Sequence, residues 1–331
     1  MFASLRITGK SSVFGDIYNK AMESVIEDDF GRSPEYRPSS FPMCPIHILV
    51  RMQDGASNKK FISRMEASGG FFTSVGTAAH ENIQRYTGQT GKLWGDWKCR
   101  NPKCTKHHDA RDLYDEKGNM YRKGILTSRN TTKNKCPSCK HPMEYVEKEI
   151  VYKGLKGHID AIIKLKQGYW VGDYKTTTKN KLRSGKLPEK KHLLQLPTYC
   201  YVLEKQYKMD IKGFSLLYFS RDNPFEFKES SYLWDDHWRV KMRKAIRNER
   251  SKFKAGVNAF LNQDPSLAIE KKPCASLSQY KRDIDYHTEC PFLSICFKPG
   301  LKEELNKILN DLPTTKKSRQ KVLTRIPAEL L

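Results

Sequence analysis

Two carboxylates and an ammonium dominate the middle of the chain. The runs Gly157-His158-Ile159-Asp160-Ala161-Ile162-Ile163 and Trp170-Val171-Gly172-Asp173-Tyr174-Lys175-Thr176 flank Lys166-Gln167-Gly168. Rich in Ile, Val, Trp and Tyr around a Gly-containing turn, they read as the two strands of a hairpin. A turn at Lys166-Gln167 pairs residue 160 with 173; a turn at Gln167-Gly168 pairs 160 with 175. Either register puts Asp160, Asp173 and Lys175 on one face, because side chains repeat every two residues. Carboxylates facing each other across strands repel. A divalent cation between them would remove that cost; a solvated hairpin with an Asp–Lys ion pair is the simpler alternative.

Composition narrows the chemistry. The 331 residues carry 60 Lys plus Arg against 37 Asp plus Glu, 60 − 37 = +23. So basic a chain has nucleic acid as its first expected partner and an anionic membrane surface as its second. No apolar run approaches the length of a membrane span, and no apolar signal core follows Met1. We therefore expect no membrane partner and a cytoplasmic protein, bacterial or, if viral, in the host cytoplasm. Metal-dependent phosphodiester hydrolysis needs hard oxygen or imidazole ligands for Mg²⁺ or Mn²⁺, a route to a nucleophile from water, and a cation to offset developing charge. Asp160 and Asp173 suit the metal. Lys175 suits the water and the charge. His80, on a helix expected around Thr73–Ile83, would complete the coordination. Gln195 and Tyr199, four apart on the next helix and so on one face, would hold the phosphate or the scissile nucleotide.

Nine cysteines in an intracellular chain point to metal or catalysis more than to disulfides. Cys99-x4-Cys104 and Cys136-x2-Cys139 bracket a polar stretch, residues 97–143, too poor in apolar groups to bury a core alone. Four thiolates in two such turns suit tetrahedral Zn²⁺, with His107, His108 or His141 able to replace one sulfur. Cys44, Cys274, Cys290 and Cys296 form a second set, and Cys200 is left over.

The elements that must carry these groups are legible in outline. A helix is expected near Ile17–Ile26, a loop at Ser33–Ser40, and a helical run from Ile46. A strand over Tyr145–Val151 leads into the hairpin. Thr176–Pro188, with Lys179, Lys181, Arg183 and Lys186, reads as a mobile loop near the substrate backbone. A helix follows over Glu189–Tyr207, with Pro197 inside it. Strands are expected at Lys212–Ser220 and Phe225–Leu233, joined at Asp222-Asn223-Pro224. Trp234–Asn262 is a basic amphipathic helix, either a solvated face or a phosphate-tracking one. One short helix and a basic tail close the chain from Leu301.

In order, His80, Gly157-x2-Asp160, Asp173-Tyr174-Lys175 and Gln195-x3-Tyr199 resemble the RecB-like branch of the PD-(D/E)XK nucleases over roughly residues 40–300. The resemblance implies an α/β, restriction-endonuclease-like core: a mixed central sheet flanked by helices, with the catalytic residues on a central hairpin. The expected organisation is a nuclease domain over 1–300, interrupted by a zinc ribbon at 97–143, and a basic C-terminal tail at 301–331. AddB-type nucleases and small CRISPR-adaptation exonucleases of this branch carry one cysteine before the core and three after it, together binding a 4Fe–4S cluster. Cys44, followed by proline, matches the first, and Cys290-x5-Cys296 the closing pair. The resemblance departs at residue 287, where the family has a cysteine and this chain has His287. Cys274 is taken as the remaining ligand, with His287 as the alternative.

The resemblance implies a Mg²⁺- or Mn²⁺-dependent deoxyribonuclease, an exonuclease or end-processing enzyme of recombination, repair or viral DNA metabolism, with DNA as substrate and a helicase or recombination protein as a partner class. A CRISPR-adaptation-type nuclease is the alternative within the class, although the ribbon insert is not expected of a minimal protein of that kind. From another class, a non-catalytic DNA-binding adaptor on a nuclease scaffold would also fit, though Asp160, Asp173 and Lys175 are all intact.

Overall fold

The computed structural model describes residues 34–57, 67–88, 93–104, 107–108, 136, 138–221, 223, 226–274, 296–297 and 299–331. The helix expected near Ile17–Ile26, residues 109–135 of the expected ribbon, Cys290 and His287 lie outside the described residues, as does most of the turn at 222–225.

In chain order, a 3₁₀ turn at Pro38–Ser40 is followed by α1 (Pro45–Ser57), α2 (Ala67–Gly88), β1 (Asp96–Cys99), β2 (His107–His108), β3 (Met143–Val146), β4 (Lys148–Tyr152), β5 (Leu155–Ile159), β6 (Ala161–Leu165) and β7 (Gly168–Thr177). Then come α3 (Lys179–Arg183), α4 (His192–Tyr207), β8 (Ile211–Ser220), β9 (Phe227–Leu233), α5 (Asp236–Asn262), α6 (Ser266–Ile269), α7 (Leu301–Asp311), α8 (Lys316–Leu323) and a 3₁₀ turn at Ala328–Leu330.

The central sheet runs β6-β7-β8-β9. β6/β7 and β8/β9 are antiparallel, and β7/β8 is parallel. A parallel pair needs a crossover, and α3 and α4 supply it, with α4 packed on β7 and β8. β7 and β8 are the inner strands, and they carry the buried Val171, Asp173, Phe214 and Leu216. The sheet is thus mixed and flanked by helices, as expected.

Two further helices pack behind α4, α5 against α4 and α1 against α5. Pro45 sits at the first position of α1, where its missing N–H costs nothing. α5 starts at Asp235, whose side chain accepts from the Trp238 N–H. It buries Met242, Ile246, Phe253, Val257 and Phe260 at helical spacing. Gly256 is where α1 and α5 cross: a Cβ there would lie 2.7 Å from both Ile48 Cβ and Pro45 O.

The structure departs from the sequence expectation in four places. The strand expected through 157–163 breaks at Asp160, and the strand expected over 145–151 breaks at Glu147. β4 and β5 form a separate two-stranded sheet, joined by Lys153 and Gly154 with φ of 50° and 80°. Positive φ at both central residues is what a type I′ hairpin turn requires. Thr176–Pro188 is not all loop. It holds α3, capped by the Thr178 side chain, and its cations are spoken for: Lys179 and Arg183 pair with Glu226 at 3.2 and 3.0 Å, and Lys181 with Glu189 at 2.6 Å. Finally, the short helix expected from Leu301 is α7, but the basic tail after it is a second helix, α8, and a 3₁₀ turn. Leu305, Ile308, Leu309, Val322, Leu323 and Leu330 are buried against the main core.

Candidate active site

Asp160 stands where two hairpins meet. In the β4/β5 ladder Lys148 pairs with Ile159, so the next position sets Glu147 opposite Asp160. In the β6/β7 ladder Ala161 pairs with Gly172, so Asp160 also stands opposite Asp173. That is the register of a turn at Lys166-Gln167. The strand break at Asp160 is therefore the joint between the two hairpins. The Tyr174 N–H fixes the carboxylate by donating to Asp160 Oδ2 at 2.7 Å.

α2 brings the third element. His80 Nδ1 lies 3.5 Å from Asp160 Oδ2. One helical turn on, the Gln84 amide donates to Glu147 Oε1 at 2.9 Å and to the Asp160 carbonyl at 3.2 Å. His80, Glu147 and Asp160 each present a ligand atom within 4.8 Å of the others. Glu147 was not among the residues singled out in the sequence. The signal that could have found it is the Lys153-Gly154 turn, which sets the register that carries 147 to 160.

Asp173 and Lys175 project from β7 on the face that pairs with Leu216 and Tyr218 of β8. Asp173 is 1% exposed, and neither of its buried carboxylate oxygens accepts a well-aligned hydrogen bond among the described residues. Lys175 Nζ lies 2.6 Å from its Oδ2 as an ion pair. Buried carboxylates are ordinarily paired, hydrogen-bonded or bound to metal. Two poorly satisfied oxygens beside a second carboxylate and an imidazole are therefore the donor set that a hard divalent cation uses.

The electrostatics agree with that donor set. Burial, then the Asp173 charge, pushes the Asp160 carboxyl well above its usual range. For Lys175, burial works against the ammonium, but Asp173, Asp160 and Glu147 outweigh it and hold its pKa above the ordinary value. Burial and the nearby Lys175 charge keep His80 below its usual pKa, a neutral imidazole able to ligate. The residues facing one another are thus two mutually repelling carboxylates, a neutral imidazole and a retained ammonium.

α4 supplies Gln195 and Tyr199, whose side chains meet at 3.3 Å (Nε2 to OH). Both are buried, and Tyr199 lies within the electrostatic reach of Asp173 and Asp160. Gly157 makes room for it: a Cβ at residue 157 would lie 2.8 Å from Tyr199 Cε1. Beside them, His192 Nδ1 meets Tyr218 OH at 2.8 Å, and burial with the Lys175 charge pushes the imidazole down to about 3. All six residues picked from the sequence thus gather at one end of β7.

The cysteines form two groups. Cys99, Cys104, Cys136 and Cys139 place their sulfurs within 4.8 Å of one another, with Cys99–Cys139 at 3.4 Å and Cys104–Cys136 at 3.8 Å. Four thiolates about 2.3 Å from one tetrahedral ion would stand ~3.8 Å apart. The His141 backbone N–H draws the Cys139 thiol down to about 6. The cluster closes the sheet β2-β1-β3. Of the possible substitutes, His141 contacts the Cys139 carbonyl; the side chains of His107 and His108 on β2 are outside the described set. In the second group, burial pushes Cys44 at the head of α1 up to about 12, and Cys296 and Cys274 are close enough to add to the shift.

Against families of known proteins, the model of the PD-(D/E)XK nuclease superfamily matches residues 39–297. No curated protein and no solved structure matches the chain. The matched span includes every residue discussed in this subsection.

Proposed function

The chain belongs to the PD-(D/E)XK nuclease superfamily, whose chemistry is metal-dependent phosphodiester hydrolysis, and on that premise we propose that it is a Mg²⁺- or Mn²⁺-dependent deoxyribonuclease acting on DNA ends. The observation that carries the reading is Asp173. Its two buried oxygens lack aligned donors, face Asp160, and have the Lys175 ammonium at 2.6 Å.

In this reading Asp160, Asp173 and the neutral His80 hold the divalent ion, and Glu147 adds a carboxylate from the β3–β4 junction. A bound ion of this kind supplies Lewis-acid polarisation of the phosphoryl oxygen and a lowered pKa for water. The Tyr174 N–H keeps the Asp160 carboxylate aimed. Lys175, held protonated by its carboxylate neighbours, orients water and offsets the charge that develops on the phosphoryl oxygens. Gln195 and Tyr199 position the strand. Intact Asp160, Asp173 and Lys175 argue for turnover over a purely DNA-binding adaptor.

The two cysteine groups have structural roles here. Cys99, Cys104, Cys136 and Cys139 hold Zn²⁺, since their spacing suits a single ion. Cys44, Cys274 and Cys296, with Cys290, hold a 4Fe–4S cluster that fastens the C-terminal part of the chain to the head of α1. Digestion of end-labelled single- and double-stranded DNA by anaerobically purified protein tests the activity. Cleavage that persists undiminished in both Asp173→Ala and Lys175→Ala would overturn it.

A further inference from the structure

A second basic feature shares no residue with that site. α5 and the segment at α6 line an open pocket of about 500 Å³ whose walls carry Arg247, Arg250, Lys254 and Lys271, with Glu270 as the acid on its lining. This is a common size for a ligand site. Four cations against one carboxylate leave an excess of three positive charges in a concave surface, and such a surface concentrates anions.

The four cations are not paired with carboxylates: among the described residues none of them has an ion-pair partner. Arg250 Nε is buried without a hydrogen-bond acceptor, while its Nη2 donates to the Glu329 carbonyl. The contrast with α3 is direct, since Lys179, Lys181 and Arg183 there are each paired with a glutamate, Glu226 serving two of them. The stripe also runs past the pocket. Arg243, Arg247, Arg250 and Lys254 recur every three or four residues along α5, and Arg243 and Arg247 are exposed. Eleven residues of helix span ~16 Å, long enough for several consecutive phosphates of one strand. The pocket lining contains no aromatic ring on which a lone base could stack.

We propose, resting on the nucleic-acid reading above, that this pocket and the stripe leading from it bind consecutive phosphates of a nucleic-acid strand outside the metal site. It is a backbone-holding subsite, without base readout. The recognised chemistry is phosphate, and the strand is favoured over a free nucleotide because Arg243 carries the row one helical turn beyond the pocket.

The test compares the full-length protein with Arg247→Gln/Lys254→Gln, two helix-surface changes whose folding is checked by circular dichroism. Binding of a long single-stranded oligonucleotide in chelator is titrated with salt, and cleavage of a short substrate is followed with metal. Losing two phosphate contacts should lower the slope of log K against log salt by about 1.4 and weaken binding severalfold, with short-substrate cleavage unchanged. Equal slopes and affinities in a variant that still cleaves would overturn the subsite and leave the nuclease reading standing. A wild-type protein that neither binds nor cleaves would instead overturn the nuclease reading. In a further arm, inorganic phosphate or a mononucleotide is the probe. Thermal stabilisation by either that is lost in the variant, with oligonucleotide binding unchanged, would also overturn the strand subsite in favour of a small-anion site.

Discussion

Glu147 stands opposite Asp160 because the Lys148–Ile159 pair continues by one residue, and Gln84 bridges the two. If Glu147 is a ligand, Glu147→Gln should weaken Mn²⁺ binding by about ten- to a hundredfold. Isothermal titration on the folded protein checks this, independently of cleavage. Unchanged affinity would reduce Glu147 to a partner of Gln84.

Asp173 and Lys175 should separate binding from chemistry. Asp173→Ala should lose both metal affinity and cleavage. Lys175→Ala should keep metal affinity and lose cleavage by roughly 10²–10³-fold, the usual cost of removing one transition-state donor. Single-turnover rates at saturating Mn²⁺ make the comparison.

Glu189 gives a pH signature away from the metal ligands. Burial alone would raise its carboxyl, but the hydrogen bond and charge of Lys181, with the charge of Lys191, outweigh this and hold it below 4.5. A depressed folded-state pKa means stability that is present above 4.5 and lost as pH falls through the lower folded value. Relative to Glu189→Gln, the wild type should therefore be more stable above pH 4.5, by about 0.5–1 kcal/mol after solvent screening, and the difference should vanish in stronger acid. Urea midpoints across that range would show it; a constant gap would refute it.

The C-terminal helices should matter to stability. Leu330 is fully buried and sits where a Cβ on Gly154 would come within 2.6 Å of its Cγ. Leu330→Ala should cost ~2–4 kcal/mol in chemical denaturation. A neutral result would return residues 324–331 to the status of a tail.

Much of the site was readable because the β-strand period is local. The period of two was enough to put Asp160, Asp173 and Lys175 on one face, while the choice of Lys166-Gln167 as the turn, which sets Asp160 across from Asp173, came from the ladder itself. Glu147 was not readable in the same way. It looked like one position in a continuous strand, and only the Lys153-Gly154 turn, easily passed over between Tyr152 and Leu155, gives it a partner. The C-terminal segment was misread for a different reason. Past α7, lysines and arginines dominate the composition, and they hide Val322 and Leu323, which are buried on α8. α3 was missed because five residues give too little periodicity to register.

Glu147 is also the last residue before the chain leaves the cysteine-closed sheet. Val146 on one side pairs with Asp96 of β1, and Lys148 on the other reaches back to Asp96 Oδ1 at 3.0 Å. Asp96, at the start of β1, thus holds both neighbours of Glu147, the carboxylate that meets His80 and Asp160. The insertion is therefore no loose appendage hung on a surface loop. A displacement of Asp96 would reach Glu147 through both of its chain neighbours.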